Sequence, residues 1–276
     1  MKFTRKASLT AALLIAAVTV GKTSPAEAFS FYFGEDLSSN ENVRLTASPN
    51  ADAARDRFLS RLIGVGTETF ESYNRYTQAP LSISFGAAGT ATIGGDGYIE
   101  RRISGTNTGR YPISGQKYWE AWEEFTIDFS NPIAAFGFYG TDIGDINGNL
   151  TLTLLNSLTG FSQQVTVNHT AGRPANVGGS VLYFGLIADP NQAFNKIIFG
   201  NSSGGDDAFA FDNMTIGGLE QIIPNEPSPA GGNDGGTPSE DVPEPLTMAG
   251  MALGGVMLAG ARKLRQGKQK ATVEKA

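Results

Sequence analysis

Apolar and polar residues alternate along much of the chain with a period of two, the period of a strand that buries one face. Phe125, Ile127 and Phe129 share one side, with Thr126 and Asp128 on the other. Leu150, Leu152 and Leu154 alternate with Thr151 and Thr153 in the same way. Residues 29–33 alternate weakly, and further strands are predicted at 67–71, 81–85, 91–93, 98–103, 125–129, 133–139, 150–155, 161–167, 181–187, 194–199 and 209–216. Gly94-Gly95-Asp96-Gly97 falls between two of these and predicts a hairpin turn. One stretch has helical spacing instead. Ala51, Ala54, Phe58, Leu59 and Leu62 fall on one face, Asp52, Arg55, Asp56 and Arg57 on the other. Ser48 suits the N-cap, Pro49 the first helical position, and Gly64 the end, which predicts a helix over 49–63 lying as a lid on a sheet. The fold expected is mainly β: an antiparallel β-sandwich, jelly-roll-like, with one short helix. Its core should hold Phe125, Ile127, Phe129, Leu152, Leu154, Phe184, Ile198, Phe209 and Phe211.

The two ends of the chain break the pattern. Lys2, Arg5 and Lys6 precede a short apolar run, and Ala26-Glu27-Ala28 forms an A-x-A site, so residues 1–28 read as a signal peptide cleaved before Phe29. Residues 29–220 make up the β domain. Residues 221–241 are a Pro- and Gly-rich linker unable to bury a core. At the C-terminus Val242-Pro243-Glu244-Pro245 is stiff and extended, because each proline fixes φ and restrains the residue before it. Residues 246–261 carry no formal charge and predict a C-terminal single transmembrane helix. At 1.5 Å per residue the span is about 24 Å, short against a hydrocarbon core of about 30 Å but workable if its flanking cations snorkel. Arg262, Lys263 and Arg265 begin the basic tail 262–276, which belongs on the cytoplasmic side.

V-P-E-P, an apolar Gly-rich span and a basic cluster, in that order, resemble the PEP-CTERM sorting signal of Gram-negative bacteria and cyanobacteria. The resemblance covers residues 242–276. It implies that the partners are the export machinery, the membrane and the membrane enzyme exosortase, which processes exported proteins near the motif. It places the chain outside the cytoplasm, at least transiently membrane-anchored, in the cell envelope or extracellular matrix.

Charge sharpens the picture. The whole chain carries −6. Residues 1–28 hold four Lys and Arg against one Glu, and 262–276 hold six against one, so the stretch between carries −14. Such a surface repels nucleic acid and attracts cations. The chain has no cysteine, so no disulfide and no thiolate metal site can form.

Candidate chemistry lies in acids and aromatics. Asp142 and Asp145 follow one predicted strand, and Asp206 and Asp207 precede the last, which carries Asp212. Calcium takes six to eight hard oxygens from groups of this kind, whereas acids in Gly-rich turns also serve simply to cap and solvate the turn. Thr69-Phe70-Glu71, the run Leu81 to Gly86, the run Ala134 to Gly140 and the closing Phe209 to Met214 resemble exported jelly-roll domains similar in outline to lectin-like and carbohydrate-binding modules. That resemblance implies a structural calcium held by an early-strand acid and a last-strand Asp, positions matched by Glu71 and Asp212, with Asp206 and Asp207 beside them. It also implies an extracellular polysaccharide as partner. Tyr118, Trp119 and Trp122 are candidates to stack on sugar rings, the alternative being burial in the core.

Enzyme signatures are thin. Gly200-Asn201-Ser202-Ser203-Gly204 fits G-x-S-x-G, but a nucleophile elbow needs a following helix and a later histidine, and His169, the single histidine, comes earlier. His169 reads as a surface residue. The expectation is a non-enzymatic exported module, with a carbohydrate-active enzyme on a jelly roll as the alternative.

Overall fold

Each alternating stretch needs partners for its backbone groups and a second layer for its apolar face. In the computed structural model, which describes residues 29–102, 108–172, 177–204 and 207–224, one antiparallel sheet supplies both by curling on itself. The elements are β1 (Phe29–Asp36), α1 (Pro49–Leu59), β2 (Thr67–Glu68), β3 (Leu81–Ser84), β4 (Thr90–Glu100), β5 (Tyr118–Ile133), β6 (Ala135–Thr141), β7 (Leu150–Asn156), β8 (Phe161–Thr166), β9 (Val181–Ala188), β10 (Phe194–Asn201) and β11 (Ala208–Gly217). The hydrogen-bonded order is β1-β9-β6-β11-β5-β10-β7-β8, with β2 on β11 and the β3–β4 pair on β5.

Ring contacts show the curl. Two strands separate β6 from β10, yet Phe138 and Phe199 lie 5.6 Å apart. Phe29 and Phe161, on the strands at the two ends of the order, lie 6.5 Å apart. Phe125 stacks on Phe199 at 4.2 Å, and Phe211 sits 5.0 Å from Phe125. β5 links the two halves: Trp119–Trp122 pairs with β11, and Phe125 onward pairs with β10.

α1 covers the back of β1, β9 and β6, burying Ala51, Ala54 and Phe58. It is shorter than expected, ending at Leu59, although Leu62 is still buried. Ser48 does not cap it. The Asp36 carboxylate does, accepting from Asn50 N at 3.3 Å and Ala51 N at 2.9 Å. A carboxylate there also answers the positive end of the helix dipole.

Three expectations are corrected. Gly94 to Gly97 is no hairpin turn but part of β4, whose register shifts between Gly95 and Gly97. The glycines are there for closeness: a Cβ on Gly97 would lie 2.8 Å from the Glu120 carbonyl, and one on Gly95 would lie 2.9 Å from the Phe125 Cα. Ile198 faces away from the core, and Ile197 and Phe199 fill it instead. His169 is buried, not on the surface; its Nε2 accepts from Leu150 N at 2.9 Å, and burial lowers its pKa. Among the described residues no helix is long and apolar enough to cross a membrane. The signal peptide with Ala26 and Ala28, the linker from residue 225 on, the sorting motif Val242–Pro245, the helix over 246–261 and the tail with Arg262, Lys263 and Arg265 lie outside the described residues.

Candidate functional site

The outer face of β4, β5 and β11 is unusually polar for a sheet interior. Tyr118, Glu120 and Trp122 alternate outward along β5 while Trp119 and Ala121 point into the core. Register sets Tyr98 of β4 and Ala210 of β11 on either side of Glu120, and Ala208 opposite Trp122. The segment after β2 runs beside β4, with Tyr76 N donating to Ile99 O at 2.7 Å.

Glu120 is fully buried and fully partnered. Its Oε1 accepts from the Tyr98 hydroxyl at 2.7 Å; its Oε2 accepts from the Tyr118 hydroxyl at 3.1 Å, Arg110 Nε at 3.2 Å and Arg102 Nη1 at 3.4 Å. A buried carboxylate needs this many donors. Burial, together with the Glu120 carboxylate, pushes the Tyr98 hydroxyl up to about 12. At one end of the strip, Glu100 binds Arg75 Nε at 2.5 Å and lies 3.7 Å from Arg102 Nη2. At the other end Arg110 Nη1 donates to Asp142 Oδ2 at 2.6 Å and to the Ala208 carbonyl at 3.0 Å.

Aromatic rings border the charges. Tyr76 is 60% exposed and Trp122 44% exposed. The Tyr76 and Tyr98 rings lie 6.1 Å apart, Arg75 sits 4.4 Å over Tyr76, and Arg110 lies 5.9 Å from the Trp122 ring. Tyr76 has φ +67°, a left-handed conformation that is a genuine outlier for a bulky residue.

Beyond Arg110, the carboxylates of Asp142, Asp145 and Asp207 have oxygens within 4.8 Å of one another. Asp142 and Asp145 follow β6, and Asp207 precedes β11, strands that pair side by side. Burial, then the Asp145 charge, raise Asp142 to about 9 despite Arg110; burial and Asp207 raise Asp145 to about 7. Among the described residues the buried Asp145 Oδ1 has no hydrogen-bond partner. Three hard oxygens, one of them unanswered, fit a calcium-like cation better than a transition metal.

The expected calcium set divides differently. Glu71 and Asp212 are not with Asp207 in this group; both hold the segment before β5. Asp212 Oδ2 accepts from Ile113 N at 2.8 Å and Ser114 N at 2.9 Å, and its Oδ1 from Asn213 N at 2.7 Å. Glu71 Oε1 accepts from Gln116 N at 2.8 Å and Lys117 N at 2.6 Å. Both Asp212 oxygens and the Glu71 Oε1 are thus taken up by backbone amides. Asp206 lies outside the described residues. Tyr118 and Trp119 are buried and offer no face to a sugar, Trp119 because it points into the core and Tyr118 because its hydroxyl turns to the buried Glu120; of the three, Trp122 is exposed. Tyr76 and Tyr98 were missed, since a lone Tyr after Arg75 and one in a Gly-rich run carry no periodic signal. Of the G-x-S-x-G stretch, Gly200 and Asn201 end β10, and the Ser202 hydroxyl accepts from Asn149 N at 2.8 Å.

No family model matches the chain, and no curated protein matches it. Among solved structures, it is similar to the K2 cleaved adhesin domain of Lys-gingipain, with 13% identity, 55% of this chain and 97% of that one covered, and a TM-score of 0.34. It is similar too to the CBM22-1 xylan-binding domain of Paenibacillus barcinonensis Xyn10C, with 14% identity, 58% and 94% covered, and a TM-score of 0.32. The family 29 carbohydrate-binding module CBM29-2 gives 16% identity, 55% and 98% covered, and a TM-score of 0.28. Scores this low carry no argument about ligand.

Proposed function

We propose that this chain is an exported, non-catalytic surface module that binds glycan on the outer face of β4 and β5. The observation that supports it is the exposure of Tyr76 and Trp122 beside Tyr98, bordering a floor of fixed carboxylates and guanidiniums. Flat rings supply apolar faces for a sugar, and the charged floor supplies hydrogen-bonding groups already oriented. A leader at one end and a V-P-E-P signal at the other support delivery through the export machinery and exosortase to the envelope or matrix. The acidic trio supports a bound calcium ion, with the orphaned Asp145 oxygen as a ligand.

The hydrolase alternative is weaker on this geometry. Glu120 is inaccessible, and its two oxygens are already taken by tyrosine hydroxyls and an arginine.

The test is a glycan array with the full chain purified from an exporting host, run beside a Trp122→Ala and Tyr76→Ala double variant. Binding to at least one glycan class, lost in the variant at unchanged melting temperature, is expected. Binding unaffected by both substitutions would remove this face from the reading, and binding to none would remove the function.

A further inference from the structure

The proposed glycan site is asymmetric in charge, and the asymmetry points to one ligand class. We infer that the saccharide taken here is acidic, with carboxylate or sulfate groups received by Arg101 and Arg102 while a sugar ring packs on Tyr76. The inference rests on the glycan reading above.

In a stretch that carries −14 between the leader and the tail, Arg75, Arg101 and Arg102 gather at one end of β4. The carboxylates there do not absorb them. Glu100 is buried and takes the Arg75 Nε at 2.5 Å. Arg102 stands 3.7 Å from Glu100 and 3.4 Å from Glu120, longer at both than the about 2.7–2.9 Å of a tight charge-assisted bond. Its side chain keeps 28% of its surface in solvent. Arg101 is exposed, and its Nη2 donates to the neutral side-chain oxygen of Gln116. Among the described residues the Arg101 guanidinium has no carboxylate partner and that of Arg102 has only loose ones, and a planar fork suits an incoming carboxylate or sulfate.

Tyr76 supplies the other half of the site. Its backbone is pinned in a left-handed conformation by the bond to Ile99 O, with its ring held out in water rather than in the core. Arg75 over the ring and Tyr98 beside it fix the orientation. A pyranose bearing an acid group offers an apolar C–H face and an oxyanion together. A neutral sugar uses the ring and leaves the cations unanswered. A nucleic acid, at one charge per about 1.7 Å of duplex, meets the repulsion of the acidic surface around so narrow a patch. A polymer with about one charge per sugar does not.

The experiment measures binding of the full chain to polygalacturonate, its methyl-esterified form, neutral galactan and a single-stranded oligonucleotide, at low and moderate salt. Expected is at least tenfold tighter binding of polygalacturonate than of the esterified polymer, weakening as salt rises. Arg101→Gln, at an exposed side chain that donates to Gln116, should reduce that preference, and Arg102→Gln should reduce it further. Arg57→Gln on the distant helix is the control and should leave it unchanged. Equal binding of charged and neutral polymers, insensitive to Arg101→Gln, overturns the acidic assignment and leaves the glycan reading standing. Binding to no saccharide overturns both. An oligonucleotide bound as tightly as polygalacturonate, with the same dependence on Arg101, overturns the saccharide assignment in favour of any polyanion.

Discussion

Raising the pH in the presence of a chelator should destabilise this domain, and Asp145 is the group to follow. Its carboxyl rises from 3.8 to about 7 in the fold, through burial first and then the neighbouring Asp207. An acid whose pKa is raised on folding keeps its proton in the folded chain after the unfolded chain has lost it. Its contribution is therefore fully present below pH 4 and is lost as the pH climbs to about 7. Three units at about 1.4 kcal/mol each give roughly 4 kcal/mol. The side chain is only partly buried, so solvent screening cuts this to roughly 2 kcal/mol. For a domain of this size that corresponds to a fall of about 4–8 °C in Tm.

The assay is thermal unfolding of the full chain between pH 4.5 and 8, in chelator and in excess calcium, for the parent and Asp145→Asn. In chelator the parent should lose several degrees across the window. Calcium should restore them at pH 8 and do nothing at pH 4.5, because the ion competes with protons for the oxygens of the trio; a hundredfold excess over Kd is worth about 2.7 kcal/mol. Asp145→Asn should reduce the difference. Comparing with the variant separates this carboxyl from Asp212, which is also raised by burial, and from His169, whose lowered pKa acts with the opposite sign; Asp142, raised by burial and then by the Asp145 charge, keeps part of the slope in the variant. A variant with the parent's pH slope in chelator, together with no calcium shift at pH 8, would return the trio to ordinary turn acids.

Two further outcomes test the fold. Phe211→Ala, whose ring meets Phe125, Phe138 and Phe199 at 5.0–5.5 Å, should cost about 3–5 kcal/mol in denaturant unfolding; a loss under about 1 kcal/mol would misplace that strand face. Asp36→Ala should cost about 1 kcal/mol by uncapping α1, while Ser48→Ala should cost only a few tenths, and the reverse order would restore Ser48 as the cap.

Alternation made the strands legible wherever one face was apolar. Phe125, Leu152, Phe184 and Phe211 all lie in the core where the period put them. It failed where both neighbours were apolar, as at Ile197 and Ile198, since two equivalent residues give parity no way to choose. It failed again at Gly94 to Gly97, because glycine serves a turn and a crowded bulge equally well. The candidate site was legible only in part. Asp142, Asp145 and Asp207 stood out as acids in turns, but their convergence depends on β6 pairing with β11, which no local pattern announces. Arg110 gave no signal, and Glu120, beside the candidate aromatics, gave none of its burial: a cation and an anion are covered here against expectation.

The depth of three residues on one face of β5 explains how the misplaced calcium ligands matter to the site after all. Tyr118, Glu120 and Trp122 point the same way, yet the first two are covered and the third is open. The cover is the segment Arg110 to Lys117. Asp212 holds its middle through the amides of Ile113 and Ser114, and Glu71 holds its end through those of Gln116 and Lys117. Arg110, at its start, reaches down to Glu120 and across to Asp142. The two acids expected to bind an ion thus fasten the segment that buries Tyr118. The Arg110 guanidinium, from the same segment, joins the aromatic strip to the acidic trio. A change at Asp212 should therefore loosen this cover first and disturb the trio only through Arg110.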